Sequence, residues 1–461
     1  MTTGFVLVIY VLVGTVLVGF LHLVGQRGRV LTPIAFFVGI EIIAVWPALL
    51  PVEDGPLESV GMLPALLAAV GLFGTVVVYV VLGGSQANAL QWRGSSLRPN
   101  EEAMRSLMIG LIALITCLVV IGLISFRGLP PLLTGSLSSL LDPVANSDQV
   151  GLIREARRTR TKGHLVLGEQ YTGQGVFNTV TEIGWQVAVI GSVLYWSWRR
   201  TRRSVNVVAG VGLLAFIFLG SGGARSPLVI CCIAGVAAVA LSRPLRTRSI
   251  AAALAIGLGF VLLIMPLSKG ATGGVTISER AIAMVERISE GNGQNNAQIV
   301  RLINTGGLDV QNGGLFIEQL KAMVPGVNEG IPFTLQLTHL AYGGGSQTTG
   351  YATPTQFGLM YADFSFAGVL VGYLLSGVVL ALGWRLITRI RHPFGSLIAV
   401  QGAIILGYLS VTGITGVVSQ ALVAALLILL VCGPVGWSAL ASAILRPQKG
   451  KTRQDKARQG V

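Results

Sequence analysis

Apolar runs of about 17 to 25 residues, the length a helix needs to cross a bilayer, succeed one another along almost the whole chain. They fall at residues 4–24, 31–50, 60–82, 106–126, 176–198, 205–220, 227–241, 250–266, 357–384, 396–412 and 417–445, about eleven in all. The pattern predicts an all-α polytopic membrane protein, a single transmembrane domain over residues 1–445 followed by a polar tail at 446–461. Most connections between the runs are short. Two, at 127–175 and 268–355, far exceed the few residues that joining neighbouring helices requires. Long ordered loops on a rigid scaffold are where chemistry concentrates. The larger one carries its own helical patterning. In Ser278–Glu290 an apolar stripe of Ile282, Val285 and Ile288 sits among Arg280, Glu286, Arg287 and Glu290, and further amphipathic runs cover Gln298–Leu308, bearing Arg301, and Gly314–Val324. This loop therefore reads as a helical lid.

Composition agrees with the pattern. Hydrophobic residues make up 52% and charged residues 11%, against about 25% charged in soluble domains, and the mean hydropathy is +0.73. The first run lacks a basic leader and a small-residue cleavage site and is expected to be retained as a span. Cys117, Cys231, Cys232 and Cys432 all fall inside runs, so no disulfide framework is expected in the loops. No fixed-period repeat is visible.

The net charge of +14 is unevenly distributed. Arg27 and Arg29; Arg93, Arg98 and Arg105; Arg199, Arg200, Arg202 and Arg203; Arg243, Arg246 and Arg248; Arg385, Arg389 and Arg391; and the tail from Arg446 to Arg458 all lie on alternate connections. The opposite short connections are acidic (Glu53, Asp54 and Glu58) or uncharged apart from Arg225. Basic residues are retained on the cytoplasmic side, which predicts an outer N-terminus, an inner C-terminus and two outer long loops. The basicity is thus a topology signal with some attraction to anionic inner-leaflet lipid, and no nucleic-acid partner is expected.

Candidate chemistry is sparse within the runs, where Glu41, Glu182 and Asp363 are the only acids. No phosphate-binding Gly-x-x-x-x-Gly-Lys loop is present, and none of the four histidines has zinc-site spacing. Neither metal nor cofactor is expected. The smaller loop concentrates Arg154, Glu155, Arg157, Arg158, Arg160, Lys162 and His164. This cluster suits either an interfacial helix snorkelling its charges to headgroups or phosphate binding, for which arginine's planar fork is well shaped. Arg225 is the one cation on an otherwise uncharged, glycine-rich turn, Gly220–Pro227. It reads as a ligand for an anion or as an interfacial anchor.

The order Gly314–Gly326 (GLFIEQLKAMVPG), Glu329–Pro332 (EGIP) and Gly350–Gly368 (GYATPTQFGLMYADFSFAG), preceded by Ser221–Ser226 (SGGARS), resembles the Wzy-type polymerases of O-antigen, capsule and exopolysaccharide repeat units. The likeness spans roughly residues 210–383 at motif level, and the span count, outer loops and basic C-terminus are similar. The chain departs from the family pattern at Pro325-Gly326, Gly330-Ile331-Pro332 and Leu359.

The resemblance implies a GT-C-like membrane architecture in the bacterial cytoplasmic membrane. It also implies a metal-independent glycosyltransferase, in which a glycan on undecaprenyl diphosphate passes to a hydroxyl of a new lipid-linked repeat unit, with a flippase and a chain-length regulator as partners. Such a reaction needs cations for the departing diphosphate and a base for the attacking hydroxyl. Arg225 and Arg280 are assigned the first role, with Arg157, Arg287 and Arg301 as further substrate ligands. His339 is the candidate base, with Glu329 and Asp363 as alternatives. Tyr342, Tyr351 and Tyr361 suit sugar stacking or an interfacial aromatic belt. Two other readings stay open, a glycan ligase of similar architecture and a non-catalytic lipid-linked oligosaccharide flippase or exporter.

Overall fold

The structure is a computed structural model that describes residues 32–45, 60–84, 101–126, 174–221, 225–242, 294–322, 333–342, 354–390 and 394–445, with isolated positions at 49, 57, 128–130 and 133. Every regular element among them is helical. In chain order they are α1 (Pro33–Ile40, continued by a π-helical turn, Glu41–Val45), α2 (Leu63–Val81), α3 (Glu101–Phe126), α4 (Gln174–Arg199), α5 (Arg202–Ser221), α6 (Arg225–Ser242), α7 (294–304), α8 (Gly314–Ala322), α9 (Phe333–Tyr342), α10 (Gln356–Thr388), α11 (Gly395–Gly407) and α12 (Leu409–Leu445). Five are long and apolar enough to cross a membrane: α2, α3, α5, α10 and the Leu409–Gly433 part of α12. The chain is a membrane-embedded helical protein. The runs at 4–24 and 250–266 and the loop segments 134–173 and 268–293 lie outside the described residues.

Small residues set the helix spacing, as expected where lipid offers no hydrophobic drive for association and close packing must supply it. α2 and α10 run side by side through Gly71 and Gly377. A Cβ on Gly71 would sit 2.4 Å from the Tyr373 ring, and one on Gly377 would sit 2.7 Å from the Thr75 carbonyl oxygen. Thr75 Oγ1 donates to the Tyr373 carbonyl at 2.8 Å across the same seam. α3 meets α12 still more closely, since a Cβ on Gly110 would fall 2.2 Å from the Val431 carbonyl oxygen. Ser106 Oγ donates to the Cys432 carbonyl at 2.8 Å one turn away.

α4 is the central helix. Its residues 183–194 are buried without interruption, packed by α3, α5, α6, α11 and α12. Because protein rather than lipid surrounds it, α4 tolerates polar side chains that a lipid-facing span would exclude. Gln186 Oε1 accepts from Gln401 Nε2 of α11 at 2.9 Å in the interior. Trp185 stacks on Phe218 of α5 at 5.7 Å. Glu41, 2% exposed, begins the π turn after α1, and its Oε2 accepts from the Tyr373 hydroxyl at 2.7 Å, tying that turn to α10.

α10 is not one straight span. At Ser365 the backbone turns left-handed (φ 56°, ψ −147°), and residues 356–364 double back along residues 366–388. Gln356 Nε2 donates to the Gly372 carbonyl at 3.1 Å and to Ser376 Oγ at 2.5 Å; in an unbroken helix Gln356 and Ser376 would lie about 30 Å apart. A Cβ on Gly368 would meet both the Met360 carbonyl oxygen and Phe364 Cβ at 2.5 Å. This corrects the expectation of a single crossing at 357–384. The limb 366–388 crosses and the limb 356–364 is re-entrant. α12 breaks with similar dihedrals at Gly413 (φ 69°) and Gly433 (φ 60°). The first break falls in the gap expected between the runs at 396–412 and 417–445.

Contacts between helix ends define two faces of the bundle. Arg385 Nη1 donates to the Leu82 carbonyl at 3.0 Å, and Trp198 lies 5.8 Å from Phe394. That end therefore gathers Arg199, Arg202, Arg203, Arg385 and Arg389, as the charge pattern predicts. The opposite end holds Phe126, Ser221, the first residue of α6, Ser365 and Gly413, together with α8 and the C-terminal end of α7.

Candidate functional site

At the end away from the basic connections, two short helices, α7 and α8, form a layer around the tip of α10. Asn296 on α7 makes a reciprocal pair with Thr355. Its Nδ2 donates to Thr355 Oγ1 at 2.8 Å and its Oδ1 accepts the Thr355 amide at 3.0 Å. Further along, Asn304 Nδ2 donates to the Tyr361 hydroxyl at 3.1 Å. α7 and the re-entrant limb thus run parallel toward Ser365. Both begin deep, since Gln356 is level with Ser376, well inside the 366–388 crossing. Non-helical backbone at such depth is tolerated only where protein encloses it or a cavity is lined by it. The Asn296–Thr355 pair supplies that enclosure by satisfying the amide where the limb starts.

Beyond α7 the chain folds over the tip. The Gln311 amide donates to the Ala362 carbonyl at 2.9 Å, and Asn312 and Gly313 adopt left-handed φ values of 48° and 88° to turn the chain into α8. Asp363, 2% exposed, receives that helix: its Oδ1 accepts the Leu315 amide and its Oδ2 the Phe316 amide, each at 2.9 Å. A carboxylate on two first-turn amides satisfies orphan donors and complements the helix dipole. At the other end of α8, Gln319 Oε1 accepts from Thr415 Oγ1 at 2.6 Å, beside the Gly413 break. α8 is therefore strapped across the tips of α10 and α12. Beneath it lies an aromatic layer in which Tyr361 stacks on Phe357 at 6.2 Å and meets Phe366 edge-on at 5.1 Å.

Asp363→Ala is expected to release α8 at a cost of about 1–3 kcal/mol, chiefly the penalty of orphaning the buried Leu315 amide, with the part-buried Phe316 amide adding less. The measurement is amide hydrogen exchange in detergent or nanodiscs. Faster exchange confined to residues 311–322 is the expected result, and unchanged protection there would show that the carboxylate does not hold the helix.

Of the residues singled out by sequence, the structure brings three into this layer, Asp363, Arg301 and Tyr361, and Tyr361, fully buried against Phe357 and Phe366, is closed to the sugar stacking or interfacial belt expected of it. Asp363 is the anchor of α8, with both oxygens occupied by backbone amides. Arg301 is half-buried on α7, and its guanidinium has no hydrogen-bond or ion-pair partner among the described residues. Arg225 is the first residue of α6, at the same end of the bundle. His339 lies on α9, the helix whose Phe333 and Leu337 join the core. Arg157, Arg280, Arg287, Glu329 and Tyr351 lie outside the described residues. Among the described residues no group of three or more His, Cys, Asp or Glu side chains is disposed to hold a metal.

Asn296, Thr355 and Gln356 were not singled out by sequence, although they shape the layer. Their signal was faint: two adjacent asparagines, Asn295 and Asn296, just ahead of the amphipathic run at 298–308, and a Thr-Gln pair opening an apolar one. No family model, characterised protein or solved structure matches this chain, so the reading of the site rests on its own residues and geometry.

Proposed function

We propose that this protein polymerises lipid-linked oligosaccharide repeat units at the outer face of the bacterial cytoplasmic membrane. The observation that carries this reading is the layer at the end opposite the basic connections. There a membrane domain otherwise poor in ions offers a half-buried Arg301 without a partner among the described residues, on a helix packed beside a re-entrant limb. The resemblance of segments 221–226 and 314–368 to repeat-unit polymerases supports the same conclusion.

In the proposed reaction the acceptor hydroxyl oxygen attacks the anomeric carbon of the donor glycan. The bond from that carbon to the diphosphate oxygen breaks, and the hydroxyl proton passes to a base, for which His339 is the candidate. The leaving polyprenyl diphosphate gains negative charge as it departs. Guanidinium groups of Arg225, Arg280 and Arg301 oppose that charge, an electrostatic role that low-dielectric surroundings strengthen. Arg157 and Arg287 extend the same cationic surface, while Glu329 and Tyr351 contact sugar. Asp363 acts indirectly, by positioning α8 over the site.

The test is reconstitution. Purified full-length protein in nanodiscs, given a lipid-linked repeat unit, is expected to yield a ladder of products and free polyprenyl diphosphate. A single transfer to a different acceptor would make it a ligase, and transbilayer movement of the substrate without new glycosidic bonds would make it a flippase.

A further inference from the structure

Between α5 and α6, with Val189 of α4 as its floor, lies a groove of about 430 Å³, within the roughly 300–1,000 Å³ range of small-ligand sites. Its walls include Gly212 and Phe216 from α5 and Leu228, Cys232 and Gly235 from α6. Almost no polar surface lines it. It begins one turn below residue 225, at Leu228, and continues along α6 to Gly235, about 10 Å further.

Gly212 is the informative position. A glycine inside a helix costs about 0.5–1 kcal/mol relative to alanine, and at the tight helix seams, as at Gly71, Gly110 and Gly377, that cost is matched by a neighbour that would collide with a side chain. At Gly212, as at Gly39 and Gly210, no atom of another element among the described residues lies within 4 Å of where a Cβ would be, but of these three it is Gly212 that lines the groove. The space it leaves faces the groove and is not used by the protein.

From this we infer that the groove holds the proximal isoprene units of the polyprenyl-diphosphate substrate, with the diphosphate at the α6 end marked by Arg225. Three observations select this occupant. The walls are apolar and belong to membrane-embedded helices, so the guest is a hydrocarbon chain. The groove stops beneath the one cation of the 220–227 turn, so the chain ends in an anion. That end is also the one at which the candidate site lies. The inference rests on the proposed polymerase function, since it takes that reaction's donor as the ligand.

The experiment uses full-length protein in nanodiscs and a radiolabelled polyprenyl diphosphate. A photoreactive benzoylphenylalanine substituted at Leu213, 59% exposed on the groove wall, is expected to cross-link to it, whereas the same group at Leu422, 60% exposed on α12, is not. Gly212→Phe is expected to weaken binding by about tenfold or more without lowering the melting temperature. Gly210→Phe serves as control, because a Cβ there also meets nothing within 4 Å but the residue does not line the groove. Wild-type binding that survives Gly212→Phe, with no cross-link at Leu213, overturns the groove while leaving the polymerase reading intact. Cross-linking at Leu213 to palmitoyl phospholipid that polyprenyl diphosphate does not displace also overturns it, assigning the groove to bulk lipid. Wild-type protein that binds no polyprenyl diphosphate overturns both.

Discussion

Arg225→Ala is expected to reduce polymer by about 10²–10³-fold, the usual cost of removing one preorganised donor to developing charge, while leaving the amount of folded protein in the membrane unchanged. Two features make this the residue with the largest catalytic effect. It is the single cation on an otherwise uncharged turn, so no neighbour on that turn replaces its charge. It also opens α6, at the helix end where backbone amides already favour an anion. Arg225→Lys should recover only part of the activity, because a lysine ammonium keeps the charge but not the paired donors of a guanidinium. Arg280→Ala should resemble Arg225→Ala, and Arg301→Ala should follow with a smaller loss. Arg203, exposed at the basic end of the bundle, is the control, and its alanine variant should polymerise normally. The readout is polymer quantity and chain-length distribution from membranes normalised for protein. Normal ladders from both Arg225→Ala and Arg280→Ala would falsify the assignment of diphosphate stabilisation to these arginines.

The largest effect on stability is expected at Gly110. Any side chain there meets the backbone of α12, with the Val431 carbonyl oxygen at 2.2 Å and its Cα at 2.6 Å. Backbone cannot swing aside as a flexible side chain can. Gly110→Leu must therefore separate α3 from α12, lengthening or breaking the Ser106–Cys432 hydrogen bond. Overpacking of this kind typically costs about 1–3 kcal/mol and sometimes more, a large part of the roughly 5–15 kcal/mol that holds a typical domain folded. Gly110→Leu should give a markedly lower melting temperature and a poor yield of monodisperse protein. Gly212→Leu is the matched comparison, with the same substitution placed in open space, and it should melt at or above the wild-type temperature. Equal melting of the two variants would show that the α3–α12 contact is not tight.

Much of this architecture was legible because hydrocarbon imposes a simple rule: a crossing must be long, helical and apolar. The runs at 60–82, 106–126 and 205–220 match α2, α3 and α5 closely, and Gly413 breaks the chain between two expected spans. The amphipathic runs near residues 298–308 and 314–324 correspond to α7 and α8, displaced by a few residues. Reversal was not legible. Phe357, Leu359, Met360 and Phe364 are as apolar as a true crossing, and hydropathy records solvent preference without direction. The partners that hold the site together were invisible for a related reason. Asn296 meets Thr355 59 residues later, and Tyr373 reaches Glu41 across 332 residues, and no local period encodes such pairs. Asp363 looked like an acid available to substrate because its two amide partners lie 47 and 48 residues earlier in the chain.

The reversal at Ser365 also bears on how the protein is assembled. Residues 356–388 emerge from synthesis as 33 predominantly apolar residues, which as one straight helix would be about 50 Å long against a hydrocarbon layer of roughly 30 Å. A segment so overlong enters the bilayer readily but fits it badly, and tilting absorbs only part of the excess. Turning nine residues back beside the rest removes the mismatch. The Gln356–Ser376 bond and the seat for Asn296 form only after that turn. The finished element thus depends on a reversal that length and hydropathy alone do not specify. A lesion at Ser365 would therefore leave a membrane-length helix whose Asn296 and Gln356 contacts are unmade.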